Sequence, residues 1–259
     1  MKVIILCGGI GTRLKEETEF KPKPMVYIGN KPIIWHIMKI YSHHGYNEFI
    51  LALGYKADYI KDFFLNQKIF TTDFTLDTSK YQPVFHMKKK SKKDRFKITF
   101  VDTGSETLPG ERILRCQKYI PSKDKFFMVT YGDGVTDLDI SKLVKFHKKQ
   151  KTIGTITGVH PRSKYGLVTL NKNYLVDNFI EKPVLTDWVN GGFMVFSKKV
   201  FDYIKFGETE HTALGRLVKI KQLSLYNHNG FWFCMDTIKE VEDLNKLWLS
   251  KNPPWKVWT

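Results

Sequence analysis

The chain has 259 residues, 42% of them hydrophobic, and its 42 Lys and Arg against 26 Asp and Glu give a formal net charge of +16. That length and apolar share can bury a substantial core, in one large domain or two small ones. Glycines interrupt the first apolar run, no stretch of about 18 apolar residues could span a bilayer, and Cys7, Cys116 and Cys234 are too few and too dispersed for a disulfide or zinc framework, so a soluble, cytoplasmic protein without a membrane partner is expected.

The first expected element is a strand at residues 3–6, followed at once by Gly8-Gly9-Ile10-Gly11-Thr12-Arg13. Glycines here let the backbone approach an anion with its N–H groups turned inward, and Arg13 can reach a phosphate held by the turn. A dinucleotide fingerprint would place its third glycine at Leu14, and a Walker loop would end in Gly-Lys-Ser/Thr; the chain shows neither. A purely structural glycine turn stays open. Lys21-Pro22-Lys23-Pro24 favours polyphosphate, because the prolines hold both lysines on a stiff, extended strip beside the turn. Apolar spacing then predicts a helix over 32–45, a strand at 50–53 and a short helix over 57–65. Residues 70–97 are polar and Lys-rich, without clear periodicity. The run Lys88-Lys89-Lys90-Ser91-Lys92-Lys93 has no interleaved aromatics, and only six of the 42 cations are arginine. It therefore reads as a solvated face, and no nucleic-acid partner is expected.

Strands at 98–101 and 126–130 and a helix over 140–149 continue the alternation, which argues for an α/β fold with a Rossmann-like, mostly parallel sheet flanked by helices. Closely spaced strands follow at 152–158, 167–170, 175–180 and 192–196, then helices over 198–204, 214–220 and 238–248. This β-rich portion is expected to extend or cover the sheet near an acceptor site. With no repeat and no long linker, a single domain over residues 1–259 is expected. In open parallel sheets a ligand sits beyond the carboxyl ends of the strands. The glycine turn, Gly54, Asp102-Thr103-Gly104 and Tyr131-Gly132-Asp133-Gly134 all fall at such ends. Asp133, and Asp236 after the apolar run 230–235, read either as turn aspartates or as ligands of a hard cation.

These motifs resemble those of the sugar-1-phosphate nucleotidylyltransferases: Gly8 to Leu14, Lys23-Pro24-Met25, Gly29-Asn30-Lys31-Pro32-Ile33, Tyr131-Gly132-Asp133-Gly134, Glu181-Lys182-Pro183, Asn190-Gly191-Gly192-Phe193 and Met235-Asp236-Thr237. Within that superfamily the chain is most similar to the glucose-1-phosphate cytidylyltransferases, through Glu16-Glu17-Thr18, Trp35-His36-Ile37-Met38, Val101-Asp102-Thr103-Gly104, Gly230-Phe231-Trp232 and Pro254-Trp255-Lys256-Val257-Trp258. The resemblance runs from the first strand almost to the last residue. It implies a glycosyltransferase-A-like nucleotidyltransferase fold, CTP and a sugar phosphate as partners, Mg²⁺ on Asp133 and Asp236, and a homo-oligomer. It also implies nucleotide contacts from Leu6, Gly8, Gly9, Gly11, Thr12, Arg13, Lys23, Thr103, Arg112 and Gly132, and acceptor contacts from Tyr165, Gly166, Glu181, Lys182, Asn190 and Gly191.

The implied reaction is attack by a phosphate oxygen of the acceptor on the α-phosphorus of CTP, with pyrophosphate leaving. Arg13, Lys23 and Asp133 carry the catalytic roles, and no protein nucleophile is needed because the attacking oxygen is already anionic. Two departures matter. Pro109-Gly110-Glu111-Arg112 stands where related cytidylyltransferases have Thr-Gly-Gly-Arg, which is expected to add a carboxylate beside the nucleotide. Thr209-Glu210-His211-Thr212-Ala213-Leu214 replaces a Trp-Glu-x-Glu-Pro-Leu stretch, so a sugar-side carboxylate is lost and an acceptor other than glucose 1-phosphate stays open. A different nucleotide donor, a nucleic-acid-binding module and an idle nucleotide sensor are the competing readings.

Overall fold

The computed structural model describes residues 1–9, 11, 14, 18–86 and 95–258. Its centre is a seven-stranded sheet: β1 Val3–Cys7, β2 Glu48–Leu53, β3 Lys97–Asp102, β4 Phe126–Tyr131, β5 Gly154–Val159, β6 Val189–Ser197 and β7 Leu223–Asn227. The spatial order is β3-β2-β1-β4-β6-β5-β7. All neighbours are parallel except β6, which runs antiparallel to β4 and β5.

The strands read as continuous apolar runs because both faces are covered. Val3, Ile5 and Cys7 point into one buried cluster, with helix α1 (Ile33–His43), α4 (Ile140–Gln150) and the C-terminal Trp255 and Trp258. Ile4 and Leu6 point into another, with α3 (Pro109–Arg115) and α5 (Glu210–Lys219). Helix α2 (Ala57–Thr71) adds Ile60 to the first cluster, and α6 (Ile238–Leu249) adds Leu244.

Several expected elements need correction. The 198–204 segment is a 3₁₀ helix, Lys198–Tyr203, and α5 begins four residues before the expected 214, at Glu210, because its first turn is polar and hides the period. Strand β7 and helix α3 carry weak signals: Leu223–Asn227 mixes Ser224 and Asn227 with its apolar residues, and Gly110 sits inside the first turn of α3. Leu167–Leu170 and Val176–Ile180 pair with each other alone, and every residue in both is exposed; they form a projecting ribbon instead of extending the sheet. Within 70–97, Phe74–Asp77 pairs with Gln82–Phe85, while the lysine run lies outside the described residues. Among the described residues no helix is long and apolar enough to cross a membrane. All three cysteines are free.

Candidate active site

Parallel strands end at one edge, so the turns after β1, β2, β3 and β4 meet there. A cavity of about 480 Å³ opens among them, lined by Leu6, Cys7, Gly8, Gly9, Gly11, Lys23, Pro24, residues 105–109, Arg112, Tyr131, Gly132 and Asp133. Of the expected nucleotide residues, Leu6, Gly8, Gly9, Gly11, Lys23, Arg112 and Gly132 thus share one wall. Thr12 and Arg13 lie outside the described residues. Gly11 has φ +70, a left-handed conformation that favours glycine, and a Cβ on Gly8 would collide with the Arg112 guanidinium.

Arg112 ties these turns together. Its Nη1 donates to the carbonyls of Leu53 (3.1 Å) and Gly104 (2.7 Å) and to Thr103 Oγ1 (2.6 Å), and its Nη2 donates to the carbonyls of Gly8 and Ser105, both at 3.0 Å. Thr103 is fully buried, and its hydroxyl donates to the Leu53 carbonyl at 2.5 Å. The carboxylate expected beside the nucleotide is turned away. Glu111 takes the Gly207 N–H at 2.9 Å and Arg115, one turn along α3, at 2.6 and 2.9 Å. Those bonds hold its carboxyl below the usual range.

The cluster at the cavity mouth is assembled by a small ribbon. Gly134–Thr136 pairs with Trp232–Cys234, and the Met235 N–H donates to the Asp133 carbonyl at 2.9 Å. Asp133 and Asp236 are thereby brought side by side, although 103 positions apart in sequence, and the Lys23 ammonium bridges them at 2.6 and 2.7 Å. Burial opposes the lysine's charge, but the two carboxylates outweigh it and hold the ammonium above the ordinary lysine range. Cys234 completes a group with Asp133 and Asp236 whose ligand atoms lie within 4.8 Å of one another, an arrangement able to hold a metal ion. Burial, then the flanking carboxylates, push the Cys234 thiol up, so it is protonated here. Glu240 fixes Asp236 from behind. One of its oxygens accepts the backbone N–H groups of Asp236 (2.7 Å) and Thr237 (2.8 Å), closing a capping box at the start of α6.

The expected acceptor residues lie outside this cavity. Tyr165 is 78% exposed at the base of the projecting ribbon, Phe179 and Glu181 crowd Gly166, and Lys182 pairs with neighbouring Glu181 at 3.3 Å. Asn190 and Gly191 sit at the start of β6. The Asn190 side-chain oxygen accepts the Gly192 N–H, its Nδ2 is buried without a partner, and the Gly191 carbonyl accepts the Trp232 indole N–H. Nearby Glu210 is buried, with Oε1 accepting the Tyr131 hydroxyl at 2.7 Å and Oε2 unpartnered. Thr212, where the second carboxylate is missing, is exposed on α5. Lys164 and Cys234 also belong to this neighbourhood, and nothing in their sequence context marks them. Glu240 is different, since Thr237 followed three residues later by Glu is a capping-box signature.

A sequence profile described as Nucleotidyl transferase matches residues 2–236. The chain belongs to that family. It is 42% identical to a probable glucose-1-phosphate cytidylyltransferase of Bacillus subtilis (strain 168) and 41% identical to a glucose-1-phosphate cytidylyltransferase of Salmonella typhimurium, each over 100% of both chains. Among solved structures, HddC from Yersinia pseudotuberculosis superposes with TM-score 0.68 at 26% identity, covering 95% of this chain and 99% of that one. A UDP-glucose pyrophosphorylase complexed with UDP-glucose reaches TM-score 0.69 at 17% identity, over 97% of this chain and 99% of that one, and so shares the fold. This nucleotidyltransferase therefore sets its glycine turn, its lysine and its paired carboxylates on the family's shared sheet.

Proposed function

We propose that the protein transfers a cytidylyl group from CTP to a sugar 1-phosphate, with glucose 1-phosphate favoured, forming a CDP-sugar and releasing pyrophosphate. The observation that carries this reading is the identity of 41–42% to glucose-1-phosphate cytidylyltransferases along the whole chain. The site supports it with a cavity walled by a glycine turn, a lysine on two carboxylates at its mouth, and sugar-side polar atoms still without partners. One phosphate oxygen of the acceptor bonds to the α-phosphorus as the bond to the β-phosphate oxygen breaks, and pyrophosphate takes that electron pair. No proton needs to move in this step.

The residues divide the work. Inward N–H groups of the turn at Gly8, Gly9 and Gly11 receive the triphosphate, Arg13 stabilises the departing pyrophosphate, and Lys23 bridges the reacting phosphates. Asp133 and Asp236 would hold Mg²⁺, since carboxylate oxygens suit a hard cation and already hold the Lys23 ammonium. When bound, that ion would neutralise charge on the α-phosphate. Arg112, whose N–H groups are taken by carbonyls, shapes the nucleotide wall. The sugar is read by Glu181, Asn190 and Gly191 near the ribbon. In this reading the chain is a single nucleotidylyltransferase domain that assembles as a homo-oligomer, for which the wholly exposed ribbon, with Leu167, Val168, Phe179 and Ile180, offers a surface. Pyrophosphate release measured with CTP, UTP, GTP and dTTP, each with glucose 1-phosphate, tests the donor. CTP gives the highest kcat/KM, and a preference for UTP, GTP or dTTP overturns cytidylyl transfer.

A further inference from the structure

Cys234 takes no part in the proposed cytidylyl transfer, yet it faces the reacting centre. It ends the short strand Trp232–Cys234 opposite Gly134, and the Met235 N–H donates to the Asp133 carbonyl, so the pairing runs one residue beyond the strand. Side chains along such an extended chain alternate between its two faces. Phe233 and Met235 pack into the hydrophobic core, while Cys234 and Asp236 turn the other way, toward Asp133. Cys7 and Cys116 each belong to one of the two buried clusters; Cys234 belongs to neither. Its sulfur instead lies within 4.8 Å of a carboxylate oxygen of Asp133 and of one of Asp236.

A cation already sits at the focus of these groups. The Lys23 ammonium is 2.6 Å from Asp133 and 2.7 Å from Asp236, and its charge acts on the Cys234 thiol as well. The donor set is what distinguishes the position. Two carboxylates alone suit a hard ion such as Mg²⁺ or Mn²⁺, but a sulfur among them favours Zn²⁺ and its heavier relative Cd²⁺, for which a thiolate is a strong ligand. The groups that would hold the ligands in place are present too: Glu240 fixes the Asp236 backbone, and pairing with Gly134–Thr136 keeps Cys234 beside Asp133. We propose that Asp133, Cys234 and Asp236 form a binding site for a thiophilic divalent cation of the zinc class, which displaces the Lys23 ammonium and, by taking both carboxylates, keeps Mg²⁺ out. The exclusion of Mg²⁺ rests on the reading of Asp133 and Asp236 as its ligands; the binding of the thiophilic ion does not.

Titration of the nucleotide-free full chain with Cd²⁺ tests it, read by the ultraviolet charge-transfer absorption of a cadmium–thiolate bond. The band saturates at one equivalent of Cd²⁺ in the native protein, is absent in Cys234→Ser, and needs at least ~10-fold more Cd²⁺ in Asp133→Asn or Asp236→Asn. Equilibrium dialysis separates ligation from support of the fold: Cys234→Ser weakens Zn²⁺ binding at least ~10-fold and leaves Mn²⁺ binding within about twofold. No band in the native protein, a band that survives Cys234→Ser, or native Cd²⁺ affinity in both carboxylate variants overturns the proposal. So does an equal loss of Zn²⁺ and Mn²⁺ binding in Cys234→Ser, which would mark the thiol as a brace for the ribbon. Alkylation of Cys234 in the native protein, followed by mass spectrometry, needs no variant: Zn²⁺ slows it, and an unchanged rate overturns the assignment. A native protein that shows the cadmium band but binds no Mn²⁺ would instead contradict the Mg²⁺ reading and leave this site standing.

Discussion

Lys23 occupies the point between Asp133 and Asp236 where the proposed divalent cation would be held, so ammonium and metal would compete for the same oxygens. A unit charge about 4 Å away is worth roughly 4 kcal/mol at an effective dielectric constant of about 20. Removing it in Lys23→Met should therefore tighten Mn²⁺ binding to the nucleotide-free protein by at least ~10-fold, measured by titration calorimetry. The same variant should lose turnover, because in the proposed mechanism the lysine also bridges the phosphates. Unchanged Mn²⁺ affinity would show that the ammonium does not guard the carboxylates. Asp133→Asn and Asp236→Asn act in the opposite sense. Each removes a charge with little change of volume, and each should weaken Mn²⁺ binding and cut kcat by roughly 100-fold or more while the thermal midpoint stays close to that of the native protein. Full activity in both variants would remove the carboxylates from the mechanism.

Helix α3 acts on the site through Arg112, whose guanidinium reaches the last carbonyl of β2 and carbonyls just after β1 and β3 at once. A lysine carries the charge without the planar fork, so Arg112→Lys should leave several of these acceptors unsatisfied. The expected cost is about 2 kcal/mol or more of stability by denaturant titration, together with a higher KM for CTP. An unaltered denaturation midpoint would contradict this. Helix α1 and helix α4 carry a pH dependence. Burial pushes His36 and His147 down to about 4, below the histidine value of 6.5, so the unfolded chain binds protons that the folded one refuses. In His36, Nε2 faces the Ile28 carbonyl and Nδ1 faces the Trp255 indole N–H, which leaves no room for a second proton. Stability from these groups is complete above about pH 6.5 and falls as the pH drops toward about 4, by roughly 3 kcal/mol per histidine at the low end. Denaturant midpoints at about pH 7 and about pH 5 should differ in the native protein and differ less in His147→Asn; equal differences would refute the assignment of His147.

At the scale of the whole molecule, the strongest strands are legible as continuous apolar runs, such as Val3–Cys7, and the strongest helices by apolar residues at the helix period, such as Ile238–Leu249. The glycine turn and Lys23 are legible as well, since their chemistry is local. What the sequence hides is non-local. The ribbon joining Gly134–Thr136 to Trp232–Cys234 is too short to announce itself, yet it is what puts Asp236 beside Asp133. Glu111 reads as a carboxylate beside a nucleotide until Arg115 and Gly207 are seen to claim it. The exposed ribbon reads as sheet because its strand pattern says nothing of what it pairs with. In the proposed reaction an acceptor phosphate attacks the α-phosphorus of CTP at the edge where four strands end. The most direct measurement uses glucose 1-phosphate with isotopically labelled phosphate oxygens, incubated with CTP, Mg²⁺ and the protein, and follows the label by phosphorus NMR. The account predicts CDP-glucose with the label on the sugar-side phosphate, including the bridging oxygen, and unlabelled pyrophosphate; label in the pyrophosphate, or no CDP-glucose at all, would contradict it.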